Sequence, residues 1–274
     1  MQKFEQNEAK ISIIIPSFNQ GEYIEETIKS ILNQNYKNYE IIIFDGGSKD
    51  KSLEVIDKYS SFISHISIGK DTGQADAIKK GFEIAKGEIL YWINSDDILV
   101  GSTLELINKV YIKTKKPSVF FGHLDIIDAQ SEYLFTKYLT PLPFLIGKYA
   151  VQRGLFGFYQ PSFFMTASAY ALIDGINPNL FFCMDNDLFK KLSEKSINFI
   201  FINKTLSKFR VHENSKSSNF QDKSEIERKI IFGNTTIKDK FLKIYVLINR
   251  AIFYMISLRL IKVINSKYKI PWLP

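Results

Sequence analysis

"EILYWINSDD", residues 88–97, is an apolar run that stops at two adjacent carboxylates. The stretch Ile89 to Ile93 has the form of a short strand buried on both faces. Asp96 and Asp97 then stand at its carboxyl end, where they repel each other unless one takes a proton or a cation joins them. The competing use is a helix start, since "DDILVGSTLELI" also fits an N-cap followed by a helix.

The chain ahead of this run repeats one alternation. "ISIIIPSF" is a β-rich run ended by Pro16, and "NQGEYIEETIKSILNQ" places Tyr23, Ile24, Ile28, Ile31 and Leu32 at helical spacing. "YEIIIFDGGS" reads as a second buried strand closing in a Gly-Gly turn, and "DKSLEVIDKYSS" as a helix capped by Ser48 or Asp50. "FISHISIGK" is a weaker strand, and "TGQADAIKKGFEIAKG" a helix with Gly87 near its C-cap. Strands alternating with helices predict an α/β fold with a mostly parallel, Rossmann-like sheet covered on both faces. In such sheets functional groups gather at the carboxyl ends of the strands. Three polar clusters fall there: Ser17–Asn19, Asp45–Ser48 and Asp96–Asp97.

After Asp97 the pattern changes. "LELINKVYIKTKKP" reads as a helix, "SVFFGHLDIID" and "SEYLFTKYL" as a strand and hairpin, and "FGFYQPSFFMTASAYALID" as a strand with a short helix. "MDNDLFKKLSEKS" is a helix opened by acids, and "INFIFINKTLSKFRVHENSKSS" gives strands running into a polar loop.

The 274 residues carry a net charge of +7, unevenly placed. From Lys223 onward there are 11 Lys/Arg against 3 Asp/Glu, which leaves the body 25 against 26. The nearly neutral body argues against nucleic acid as a partner, because tracking phosphates needs a basic stripe. Residues 1–222 are therefore read as the main domain and 223–274 as a basic helical tail. In that tail "KFLKIYVLINRAIFYMISLRLIKVI" lines up Lys240, Lys243, Arg250 and Ser257 and leaves a broad apolar face, while Lys243, Arg250 and Arg259 interrupt any spanning run. This suits a helix on an anionic membrane surface or a partner, or one packed on the body. The one cysteine, Cys183, excludes an internal disulfide, and "MQKFEQNEAK" lacks a secretory apolar run. The expected location is the cytoplasm, with peripheral contact at the inner face of the membrane.

"ISIIIPSFNQGEYIEETIKSILNQNY", "EIIIFDGGSKDKS", "DTGQADAIKKGFEIAKGEILYWINSDD" and "MDNDLFKKL" together resemble the successive motifs of glycosyltransferase family 2, of the bacterial surface-polysaccharide type. The resemblance covers residues 11 to 215 and implies a GT-A fold and inverting transfer from a nucleotide-diphosphate sugar, a UDP-sugar above all, to a glycan or lipid-linked acceptor. It implies that Pro16, Ser17 and Asn19 line the nucleotide pocket, that Asp45 contacts base or ribose, and that "NSDD" is the DxD position. Asp96 would then face the ribose, and Asp97, with His212, would hold Mn²⁺ or Mg²⁺. Where the family often has an Arg-Asn pair this chain has Ile78 and Lys79, so Asp76 or Lys79 is the substitute base contact. Arg210 and Lys216 would screen the diphosphate. Asp185 stands where the family's catalytic base stands, Asp187 is its runner-up, and Gln160 lies where relatives meet the acceptor. Met184 replaces a common glutamate. The helix N-terminus is expected to keep the Asp185 pKa low.

A glycoside hydrolase also uses two carboxylates but needs neither metal nor nucleotide. A Rossmann dehydrogenase is disfavoured because "PSFNQGEY" lacks the G-x-G-x-x-G spacing. A sugar-nucleotide-binding scaffold is the non-enzymatic alternative.

Overall fold

The computed structural model describes residues 8–140, 142–155, 157–213, 221–249 and 251–252. Its first half contains strands β1 (Ile11–Ser17), β2 (Tyr39–Asp45), β3 (His65–Ile68) and β4 (Ile89–Trp92), all parallel. Helices α1 (Ile24–Leu32), α2 (Ser52–Lys58) and α3 (Gln74–Ile84) make the crossovers. Every residue of β1 and β4 is buried, as expected of strands covered on both faces. Neighbours on β1 enter opposite layers. Ile14 joins Phe82, Trp92, Phe163 and Phe189 on one face, and Ile13 and Ile15 join Ile28, Tyr91 and Leu104 on the other.

The second half contains β5 (Ile98–Leu99), α4 (Thr103–Thr114), β6 (Ser118–Ile127), β7 (Tyr133–Lys137), α5 (Phe144–Gln152), β8 (Phe163–Thr166), α6 (Ala167–Tyr170), α7 (Met184–Ser193), β9 (Asn198–Arg210) and α8 (Gln221–Phe232). A further helix, α9, covers 237–249. Among the described residues nine strands form one sheet, ordered β3-β2-β1-β4-β8-β6-β9-β5, with β7 on β6. The chain lays β2 and β3 to one side of β1, then returns to lay β4 on the other side. The strand order therefore reverses between β1 and β4, and the carboxyl ends of strands at such a switch point are where open α/β sheets bind ligands.

Several local expectations need correction. Pro16 does not end its strand but pairs in register with Phe44. The carbonyl of Ile14 accepts from Ile93 on the β4 side and that of Ser17 from Gly46 on the β2 side. By that alternation the imino nitrogen of Pro16 faces β4 beyond the strand's end, where no rung is lost. Gly87 lies near the C-cap of α3, as expected, but serves another purpose. α3 ends at Ala85 in an extended conformation, and a Cβ on Gly87 would lie 2.6 Å from the Ser12 backbone nitrogen. Glycine is needed there for close approach of two chain segments. Ser48 does not cap α2, whereas Asp50 accepts from the Ser52 N–H at 3.0 Å. Asp97 opens β5 rather than a helix, and α4 begins only at Thr103.

Beyond residue 222 the chain also contacts the body. Ile231 and Val246 are buried in the core, Asp239 pairs with Arg153 at 2.7 Å, and the Lys190 ammonium donates to the Ile231 carbonyl. Thus α8 and α9 pack on the body with one face. Opposite, Ile237, Phe241, Ile244, Leu247 and Ile248 are exposed. Arg250, Ser257 and Arg259 lie outside the described residues, as does Lys216.

Candidate active site

The carboxyl ends of β1 and β2 form the first cluster. Asp45, 2% exposed, accepts from the Gly47 and Ser48 N–H groups through Oδ1 and from the Ser17 and Ser48 hydroxyls through Oδ2. Both carboxylate oxygens are occupied by the turn and the end of β1, so Asp45 braces the turn and has no spare acceptor in this arrangement. Asn19 adopts a left-handed φ of 52°, accepts from the Lys49 N–H and donates its own N–H to Ser48 Oγ. Between them Phe18 is 60% exposed and lies beside Gly46, where an added Cβ would approach its ring and the Asp71 carboxylate. Residue-by-residue reading passed over Phe18. The signal was an aromatic residue just where the buried run of β1 ends.

The substitute base contacts divide. Asp76 pairs with Lys80 at 2.8 Å and accepts from the Thr72 N–H, and Lys80 holds its carboxyl below the usual range. It closes the start of α3 and is engaged there. Lys79 is half-buried on the same helix.

The second cluster surrounds the acid pair. Asp97 is fully buried; it accepts from the Arg210 N–H at 3.1 Å and from Asn94 Nδ2 at 3.2 Å. Burial, and then the charge of Asp96, push its carboxyl well above the ordinary range. Asp96 is the outward member, and its Oδ2 meets His212 Nε2 at 3.1 Å. The loop is tied to α1 as well, since Thr27 donates to the Asp97 carbonyl and Ser30 accepts from the Leu99 N–H.

Arg210 does not screen a diphosphate. Its side chain is 1% exposed, and the guanidinium donates to the Asp96, Asp128 and Ala129 carbonyls, Ser131 and Glu26, while lying 4.8 Å from the Tyr23 ring centre. Buried and donating from all three nitrogens, it is a staple that fixes the acid pair against α1 and the β6–β7 turn. Asn94 is a second junction that sequence reading missed. It accepts from Gln74 Nε2 at 2.7 Å and donates toward Asp97 and Gln160 Oε1. Gln160 in turn donates to the Trp92 carbonyl at 2.8 Å, which makes it part of the wall joining β4 to β8.

Among the described residues no three His, Cys, Asp or Glu side chains close into a metal cage. The donor set nevertheless fits a divalent cation of the kind shared with phosphate oxygens: two adjacent carboxyls resist double ionisation, and an imidazole stands beside them.

The third cluster opens α7. Asp185 Oδ1 accepts from the Asn186 N–H at 2.7 Å and from Asn186 Nδ2 at 2.9 Å. The expectation of a lowered pKa is overturned. Burial raises the carboxyl above the ordinary range, outweighing the two Asn186 donors and the nearby Arg228 charge. Asp187 is paired with Lys191 at 2.9 Å, which also meets Asp174, so it is committed to an ion-pair network. Phe189 of α7 packs on Phe163 of β8, whose preceding residues carry Gln160 toward the acid pair.

Residues 12–171 match the family model for glycosyl transferase family 2. The chain belongs to that family. Over 146 residues it is 32% identical to the glycosyltransferase GlyG of Streptococcus pneumoniae, covering 52% of this chain and 48% of GlyG. Over 101 residues it is 39% identical to the poly(ribitol-phosphate) beta-N-acetylglucosaminyltransferase TarP of Staphylococcus aureus, covering 35% and 31%. The matches span less than half the length of either relative. Staphylococcus aureus TarS 1–349 in complex with UDP-GlcNAc superposes with a TM-score of 0.62 at 16% identity, covering 85% of this chain and 69% of that one. The family 2 fold, of the GT-A type, is thereby established, with the strand-order reversal between β1 and β4 described above.

Proposed function

We propose that this chain transfers a sugar from a nucleoside-diphosphate donor, a UDP-sugar first, to a hydroxyl of a surface glycan or its lipid-linked precursor, with inversion at the anomeric carbon. The reading rests most on one observation: the Asp96–Asp97 pair stands at the switch-point crevice beside His212, with the Asp97 carboxyl disfavoured as a second bare anion. Family membership and the UDP-GlcNAc bound by TarS support the donor class.

In this reading Phe18, Asn19 and the turn braced by Asp45 bound the nucleotide, with Pro16 and Ser17 shaping the wall behind them. Asp96, Asp97 and His212 hold a divalent cation. When bound, that cation offsets the charge on the departing diphosphate. Asp185 takes the proton from the acceptor hydroxyl, and its raised pKa brings it nearer the working pH, where a general base is most effective. Asn186 holds the carboxylate in orientation through its two donors.

The outward face of α9 carries Lys238, Lys240 and Lys243 among exposed Ile237, Phe241 and Ile244, while its acid, Asp239, is buried against Arg153. Such a face suits an anionic membrane surface, which would bring a lipid-linked acceptor to the enzyme. Among the described residues no helix is long and apolar enough to cross a membrane.

Slow hydrolysis of UDP-, GDP- and dTDP-sugars with Mn²⁺ tests the donor reading before any acceptor is known. Turnover confined to a UDP-sugar and abolished by EDTA and by Asp97→Ala is expected. Turnover that survives both treatments sinks the metal reading. Co-sedimentation with vesicles containing anionic lipid, weakened by Lys240→Glu/Lys243→Glu, tests the surface. Equal binding to neutral vesicles refutes it.

A further inference from the structure

The first turn of α7 is held by a helix some forty residues later in the chain. Glu227, on α8, accepts from the N–H groups of Phe181 at 2.7 Å, Phe182 at 2.9 Å and Cys183 at 2.7 Å. Of these amides Cys183 is the N-cap of α7, one of the N–H groups that helix geometry leaves without partners, and the helix start favours negative charge. Cys183, in the N-cap position, supplies no side-chain cap of its own. The next residue, Arg228, donates to Asn186 Oδ1 at 3.1 Å and to the Gly154 carbonyl at 2.7 Å, with its guanidinium 5.4 Å from the Phe232 ring centre. Asn186 is the residue whose two donors meet Asp185. A relay therefore runs from Arg228 through Asn186 to the Asp185 carboxylate, on a backbone that Glu227 pins.

We infer that Glu227 and Arg228 are positioning residues for the proton acceptor: Glu227 fixes the segment from which α7 springs, and Arg228 fixes the amide that aims Asp185. The inference rests on the reading of Asp185 as the base. It makes α8 part of the active-site machinery. Generic packing would need only apolar contact, which α8 supplies separately through Ile231. The ionisable groups around this turn are Arg228 and Glu227 from α8, the buried Cys183 thiol, and on α7 itself Asp187, paired with Lys191. Of these, Arg228 is the cation that favours ionised Asp185.

The test uses the full chain and reads the Asp185 carboxyl directly, by ¹³C NMR titration with the signal assigned by its loss in Asp185→Asn. Turnover of a nucleotide sugar and thermal unfolding are measured alongside. In Arg228→Met the Asp185 midpoint should rise by roughly half a pH unit. Its kcat should fall roughly tenfold or more with donor KM unchanged, as misplacement of a reacting group does. Arg228→Lys should recover part of both effects. Glu227→Gln, which keeps an acceptor oxygen, should lose less kcat than Glu227→Ala. An unmoved midpoint in Arg228→Met overturns the proposal, even where kcat falls in step with unfolding temperature, since that combination describes a merely structural helix. An active Asp185→Asn enzyme refutes the base reading alone, because the titration still decides whether Arg228 governs that carboxyl.

Discussion

Two of the acid clusters are built in opposite ways. At the ends of β1 and β2 Asp45 is satisfied by Ser17, Gly47 and Ser48, from its own turn and the adjoining strand end. At the start of α7 Asp185 depends on Asn186, and Asn186 on Arg228 of a different helix. Strand-end turns can be satisfied by residues close by, because the sheet has already brought the ends of β1 and β2 together. A helix start projecting from the second half has no such neighbours and takes its support from whatever packs over it. One cluster is thus fixed by the sheet, and the other by the docking of α8.

This contrast is sharpest in its consequences for activity. Asp185→Asn is expected to lower transfer by roughly 10²- to 10⁴-fold, as loss of a general base does, with nucleotide affinity intact by calorimetry. It should also reveal what the residue costs the fold. Because burial raises the folded pKa of Asp185, the native state holds the proton more tightly than the unfolded chain, and stability falls as pH rises from the ordinary aspartate range through that raised value. Asp185→Asn escapes that loss. It should melt higher than wild type near neutral pH and match it in acid below about pH 3.9. A variant that melts lower at neutral pH would mean that the carboxylate is stabilising and the contrast is misdrawn.

Arg210→Met attacks the staple of the acid pair. It leaves several carbonyls and Glu26 without their donor, and about 3 kcal/mol of stability should be lost in urea unfolding. A donor affinity that falls while unfolding is unchanged would restore the diphosphate role that the geometry denies it. Gly87→Ala forces a methyl against Ser12 and the Lys10 carbonyl, 2.6 Å and 2.8 Å away, with a cost of roughly 1–3 kcal/mol. The smallest effect is expected from Ser48→Ala, about 1 kcal/mol, since Asp45 keeps three of its donors and the part-buried Asn19 N–H alone loses its acceptor. A large loss of nucleotide binding in that variant would show that the Asp45 turn touches the ligand rather than bracing its wall.

The parallel half was legible because its strands read as unbroken apolar runs and its polar clusters fall at their ends, a pattern that period and position alone reveal. Asp96 and Asp97 were legible for the same reason. The position of Asp185 came only through family resemblance, since two acids at a helix start are also ordinary dipole compensation. Arg210 was misread because sequence shows a cation in a polar loop, whereas the fold makes it the last residue of the thirteen-residue strand β9, buried between carbonyls. Asn94 and Glu227 left no trace, because their partners come from Gln74, Gln160 and the Phe181–Cys183 segment, which only the folded chain brings near. Charge composition left open whether the tail packs on the body, because it tracks the solvent-facing side of α8 and α9 and is silent about the side that packs.

The short strand β5 gives the acid pair a particular character. Immediately after Asp97 the chain is laced to β9 through Ile98 opposite Lys208 and Leu99 opposite Ser207. The carboxylates are therefore anchored before any ligand arrives, and capture of a donor pays little ordering entropy on the protein's side at that point. The flexibility that a transferase needs to admit one substrate and expel another must be drawn from elsewhere in the molecule.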